Sequence, residues 1–128
     1  MKKKILLIDD IKEFRHMMQI ILSGVYDVVT ASDGEDAIQK MDRGLQPDAI
    51  VTDLIMPRMD GYELISRIKK DQKHKNIPII VLSSVDKMAR QHKLKHQRIC
   101  GYIVKPMHAA TLKNSLSHSL EEVLHLSN

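Results

Sequence analysis

Five short runs of Ile, Val and Leu, separated by longer stretches of helical periodicity, limit the possible fold more than any other feature of this chain. KILLID (4–9), YDVVTA (26–31), DAIVTD (48–53), PIIVLS (78–83) and GYIVKP (101–106) are brief, rich in β-branched residues and show little polar alternation. A strand with one wet face alternates apolar and polar residues. A strand covered on both faces need not, and that is the pattern of parallel sheets. Between the runs, Phe14, Met17, Met18, Ile21 and Leu22 follow i, i+3, i+4 spacing and predict a first helix with those side chains inward. Ser32-x-x-Glu35 reads as a capping box opening a second helix, with Ala37, Ile38 and Met41 inward. Tyr62, Leu64, Ile65 and Ile68 predict a third helix. Val85, Met88 and Ala89 begin a fourth over roughly 86–96, and Leu112, Leu116, Leu120, Val123 and Leu124 mark a fifth. Strands alternating with helices are βαβ units with right-handed crossovers, so one α/β domain over residues 1–128 is expected.

Composition narrows the class. A chain of 128 residues, 43% hydrophobic and 28% charged, can bury one ordinary core and is not of the disordered type. Aromatics are only 3%, so that core must be aliphatic, with eight methionines filling gaps. No apolar run reaches the length of a membrane span, and MKKKILLIDD turns acidic where a signal peptide would stay apolar. Cys100, the single cysteine, has no partner for an internal disulfide and is expected as a buried strand residue in a reducing compartment. The expected location is the cytoplasm. Charge is unevenly spread: residues 1–64 carry 8 basic and 12 acidic side chains, residues 65–128 carry 12 basic and 4 acidic. Stretches 67–75 and 86–98 each hold five positive charges against one negative, yet neither contains an aromatic residue that could stack on a base. Nucleic acid is therefore not the expected ligand of this domain.

In open parallel sheets the site lies outside the carboxyl ends of the strands. Those ends carry Asp9 and Asp10, Asp53, Ser83 and Lys105. Three clustered carboxylates repel one another, and a hard cation with oxygen ligands relieves the repulsion. Mg²⁺ suits, because it takes one or two carboxylates and keeps waters that phosphate oxygens can replace. Lys105 adds a compact positive charge able to pair with a carboxylate or a phosphoryl oxygen, and Ser83 a hydroxyl. Asp33 and Asp60 read instead as turn formers or helix N-caps.

The constellation ILLIDD, TDLIMPRMDG, strand-end Ser83 and YIVKP resembles, over the whole chain, the receiver domain of two-component response regulators, the family of the chemotaxis regulator CheY. The resemblance implies a five-stranded parallel sheet of order 2-1-3-4-5 flanked by five helices. It implies Asp53 as phosphoacceptor from a sensor histidine kinase or phosphotransfer protein. Asp10, Asp53, the backbone carbonyl of Ile55 and, through water, Asp9 would hold Mg²⁺. Ser83 would be the switch hydroxyl, Lys105 the lysine that contacts the phosphoryl group, Tyr102 the aromatic switch and Pro106 a residue after a commonly cis bond. Such a protein is not an enzyme toward other molecules and catalyses only its own phosphorylation and dephosphorylation. It signals through the face of the fourth helix, fifth strand and fifth helix. The fourth helix is basic here, so an acidic protein target is expected. Gln97-Arg98-Ile99-Cys100 departs from the glycine-alanine pair frequent before the fifth strand.

Two rival chemistries fail on particular residues. A phosphatase of the haloacid dehalogenase type wants a second acid two residues after the nucleophile, where this chain has Ile55. A dinucleotide-binding domain wants a glycine-rich turn after the first strand, where it has Asp10-Ile11-Lys12. The alternative reading within the family is a receiver excised from a longer regulator with a DNA-binding or enzymatic output domain.

Overall fold

Each of the five apolar runs forms a strand in the computed structural model, which describes the backbone of residues 2–83, 99–105 and 109–126. The strands are β1 (Lys4–Ile8), β2 (Asp27–Ala31), β3 (Ala49–Thr52), β4 (Ile79–Ser83) and β5 (Gly101–Val104). They form one sheet of order β2-β1-β3-β4-β5, every pairing parallel. The expected strand order is thus the observed one. The described helices are α1 (Lys12–Leu22), α2 (Gly34–Asp42), α3 (Gly61–Lys70) and α4 (Ala109–Leu126), the last being the fifth predicted from the sequence. The predicted helix over 86–96 lies outside the described residues.

Alternate strand residues supply two cores. Ile5, Leu7, Ala49, Val51, Ile80 and Leu82 pack with Met18 and Leu22 of α1 and Leu112 and Leu116 of α4. Leu6, Ile8, Ile50, Ile79 and Val81 pack on the opposite face with Ala37 and Met41 of α2 and Leu64, Ile65 and Ile68 of α3. Helices cover both faces of the sheet, and this is why the strand sequences show no polar alternation.

Three local expectations need correction. Met17, expected inward on α1, is 46% exposed, because the helix buries a narrower stripe of Met18 and Leu22, with Phe14 and Ile21 at its margins. The cap of α2 falls one residue later than the Ser32-x-x-Glu35 pattern suggests. Asp33 is the N-cap and accepts from the Asp36 amide at 2.8 Å, while the Asp36 carboxylate accepts from the Ser32 amide at 3.0 Å. A carboxylate outcompetes a hydroxyl for that amide near the positive end of the helix. Cys100, expected buried, is exposed at the bend just before β5, since the strand begins only at Gly101.

The start of α3 explains a glycine. Asp60 caps it, accepting from the Glu63 amide at 2.9 Å, and the Gly61 amide donates to the Leu54 carbonyl at 2.8 Å. This draws the helix so close to the end of β3 that a Cβ on Gly61 would lie 2.2 Å from the Asp53 carbonyl oxygen and 2.7 Å from the Leu54 Cα. Neither atom can yield without moving the segment that carries Asp53. Gly61→Ala should therefore destabilise the protein by about 2 kcal/mol or more. Gly24→Ala, where the added methyl meets nothing within 4 Å, should change stability by less than about 0.5 kcal/mol. Chemical denaturation of both variants checks the contrast.

Candidate functional site

The carboxyl ends of β1, β3 and β5 bring three acids and a lysine together. Asp9 follows β1, and its amide donates to the Ala31 carbonyl at 3.1 Å, which holds it in line with the sheet. Asp53 follows β3 and is held likewise, its amide donating to the Ile8 carbonyl at 3.0 Å. Both side chains are buried, whereas Asp10 is exposed. One carboxylate oxygen from each of the three lies within 4.8 Å of the others. Lys105, one residue past β5, reaches back over the edge: its Nζ stands 2.5 Å from Asp9 Oδ2 and 3.2 Å from Asp53 Oδ2. A single ammonium bridges the two buried acids.

The other oxygens of those acids face the backbone. Asp9 Oδ1 accepts from the Ile11 amide at 2.9 Å. Asp53 Oδ1 accepts from the Leu54 amide at 2.6 Å, with the Ile55 amide at 3.4 Å. Burial pushes the Asp9 carboxyl above its ordinary value of 3.8, against hydrogen bonds from Lys105 and the Ile11 amide, and the Asp53 charge pushes it further up. At pH values between 3.8 and that raised value, the folded chain binds a proton at Asp9 more tightly than the unfolded chain does. This group makes stability fall as pH climbs from 3.8 through its raised value. An all-oxygen cluster with two buried members and one open to water fits a hard, strongly hydrated cation such as Mg²⁺ and does not fit a thiolate- or imidazole-seeking metal.

The segment after Asp53 is fastened to the start of α2. Arg58 has φ +63°, a left-handed backbone rare for a side chain of this size. Its guanidinium pairs with the buried Asp33 carboxylate and stands 3.6 Å from Glu35. Next to it, Met59 is buried with its side chain against Gly34, where even a methyl group would approach to 2.9 Å. Ile55, three residues before Arg58 in the same segment, is half exposed.

The sequence matches the profile described as response regulator receiver domain over residues 5–117. The chain belongs to the response regulator receiver family. It is 33% identical to the chemotaxis protein CheY-3 of Vibrio cholerae over 122 residues, covering 94% of this chain and 93% of that protein. It is 36% identical to hybrid signal transduction histidine kinase D of Dictyostelium discoideum, covering 87% of this chain but only 7% of the kinase. The solved structure of the chemotaxis response regulator CheY4 of Vibrio cholerae superposes with a TM-score of 0.84 at 29% identity, covering 93% of this chain and 99% of that one.

Of the site residues expected from the sequence, this receiver brings Asp9, Asp10, Asp53 and Lys105 together, and it sets Ile55 two residues beyond Asp53 in the adjoining loop. Ser83 ends β4, with its backbone paired to Val104, and its side chain lies outside the described residues. Tyr102 lies on β5 opposite Val81, half-buried against the core shared with α2 and α3. Pro106 and the basic residues Lys87, Arg90, Lys93, Lys95 and Arg98 also lie outside the described residues. Three contributors were missed from the sequence: Gly61, Arg58 and Phe14, whose ring lies under the Lys105 ammonium. Only Gly61 left a signal, as the glycine after a capping acid. Arg58 supplies a backbone test. Arg58→Ala loses the ion pairs and keeps the left-handed strain, while Arg58→Gly loses the pairs and relieves the strain. Arg58→Gly should therefore be the more stable variant by about 1 kcal/mol in chemical denaturation.

Proposed function

We propose that the chain is a phosphorylation-activated receiver that takes a phosphoryl group onto Asp53 from a sensor histidine kinase or phosphotransfer protein. The observation that carries this reading is the Lys105 ammonium bridging Asp9 and Asp53 at the carboxyl edge of the sheet, with Asp10 open to solvent beside them. A carboxylate attacking a phosphoryl group meets like-charge repulsion, and catalysis of that step is mostly positioning and charge neutralisation. Asp53 suits the nucleophile's part because its Oδ1 is engaged by the Leu54 amide, which fixes the carboxylate's orientation, while Oδ2 faces Lys105.

Lys105 would pair with a phosphoryl oxygen as the new acyl phosphate forms. Asp9, Asp10, Asp53 and the Ile55 carbonyl would hold Mg²⁺, which supplies charge neutralisation when bound. In the balanced step an Asp53 oxygen bonds to phosphorus as the donor's bond to phosphorus breaks, and the departing nitrogen or oxygen keeps that electron pair. Ser83 and Tyr102 are proposed as the switch pair that registers the new charge, turning toward the phosphoryl group and inward respectively. The altered face would then engage a protein target, with the basic stretch 86–98 favouring an acidic segment. On this reading residues 1–128 act as a single receiver domain in the cytoplasm, without catalysis on other substrates. Among the described residues no helix is long and apolar enough to cross a membrane.

Incubation with a small acyl phosphate and Mg²⁺ should add one phosphoryl group by intact mass, and chelation of the metal should abolish the gain. Asp53→Asn should take up none. Equal labelling of Asp53→Asn under the same conditions would reject Asp53 as the acceptor.

A further inference from the structure

Phe14 lies in the first turns of α1 at the margin of the core made with Met18 and Leu22, where its spacing alone would class it as packing. Its ring does more than fill that margin. The Lys105 Nζ stands 4.0 Å from the ring centroid, over its face, while the same nitrogen reaches Asp9 and Asp53. The Lys105 side chain is only 15% exposed, so this ammonium is largely stripped of water. The face of an aromatic ring carries negative electrostatic potential, and its attraction for a cation grows as water is removed. An aliphatic side chain at position 14 would fill similar space without that attraction.

We propose that Phe14 is a positioning residue, its ring face holding the Lys105 ammonium over the acid cluster. The proposal rests on the receiver reading for its kinetic consequence, though not for the contact itself. In the protein as described, two carboxylates hold the ammonium. A divalent cation at Asp9, Asp10 and Asp53 would draw on those same oxygens, and an incoming phosphoryl group needs the lysine's N–H groups. The ring occupies none of the carboxylate oxygens and requires no N–H direction of its own. It can therefore keep the ammonium in place when the carboxylates are otherwise engaged, leaving its hydrogens free for a phosphoryl oxygen. Removing the ring's attraction lets a flexible four-carbon side chain spread over more conformers, and fewer of them are poised for reaction.

The chain has a single phenylalanine, so growth on fluorinated phenylalanines alters this ring alone. Successive fluorines weaken the potential over the ring face at nearly constant shape. Two readouts decide the proposal. In the metal-free protein, the Lys105 ε-methylene protons, assigned by their loss in Lys105→Met, should resonate upfield of a solvated lysine because they sit over the ring. That shift should vanish in Phe14→Leu and shrink across the mono-, di- and trifluoro series. In the second readout, the rate of labelling by a small acyl phosphate at saturating Mg²⁺ should fall stepwise across the series. The fall should reach about five-fold at trifluorophenylalanine, with the thermal midpoint unchanged.

Lys105 signals at their solvated position would overturn the contact, and a shift that does not respond to fluorination would overturn the proposal that the ring face's attraction holds the ammonium. A rate flat across the series, with the shift responding, would overturn the positioning role. If the wild type takes up no phosphoryl group, the receiver chemistry proposed above fails, and the metal-free shift series alone decides whether Phe14 holds Lys105.

Discussion

Repulsion between acids crowded at one edge of a sheet is the constraint from which the rest of this structure follows. Two negative charges about 5 Å apart repel by roughly 3 kcal/mol at the effective dielectric constant of 20 that suits partly buried protein sites. Asp9 and Asp53 are both buried, with Asp10 close by, so this repulsion must be met by something the fold provides. Lys105 meets it by entering from the next-but-one strand and bridging both buried acids. A divalent cation in the same cluster would perform the same electrostatic task.

The fold supplies the cluster cheaply because it is a parallel sheet. With strand order β2-β1-β3-β4-β5, β1 and β3 are neighbours and end at the same edge, so the residues after them are side by side without any special loop. What does need special residues is the path leaving Asp53. Gly61 lets α3 approach the Asp53 carbonyl, and Arg58, in a left-handed conformation, fastens the same loop to the buried Asp33 at the head of α2. Asp33 thus serves as helix cap and as loop anchor at once, its two oxygens divided between the Asp36 amide and Arg58. The segment carrying Asp53 is held from both sides, by tight packing and by an ion pair.

Much of this was legible in the sequence, and the reasons differ by residue. The five strands were readable within two residues because burial on both faces imposes an unbroken apolar run on each. Asp9, Asp53 and Lys105 were readable as a group because their positions at strand ends define a shared edge. Asp33 and Asp60 were readable as caps, yet the cap of α2 was displaced by one residue, since Ser32 and Asp33 both have capping side chains and only three-dimensional placement chooses between them. Met17 and Cys100 misled for a simpler reason: apolar character sets a preference for burial, while the width of a helix's buried stripe and the first residue of a strand depend on neighbours. Arg58 and Phe14 left no signal at all. Nothing in an arginine predicts a positive φ, and nothing in a phenylalanine at helical spacing predicts that a lysine 91 positions later will lie across its face.

The most direct test of the claim that Lys105 and a divalent cation neutralise one and the same acid cluster is a stability measurement on the wild type and Lys105→Met, each with and without saturating Mg²⁺. Without metal, the variant leaves Asp9 and Asp53 facing each other uncompensated and should be clearly less stable than the wild type. Mg²⁺ should then stabilise the variant more than it stabilises the wild type, narrowing the gap between them. An equal gain from Mg²⁺ in both proteins, or a metal-free variant as stable as the wild type, would contradict the account.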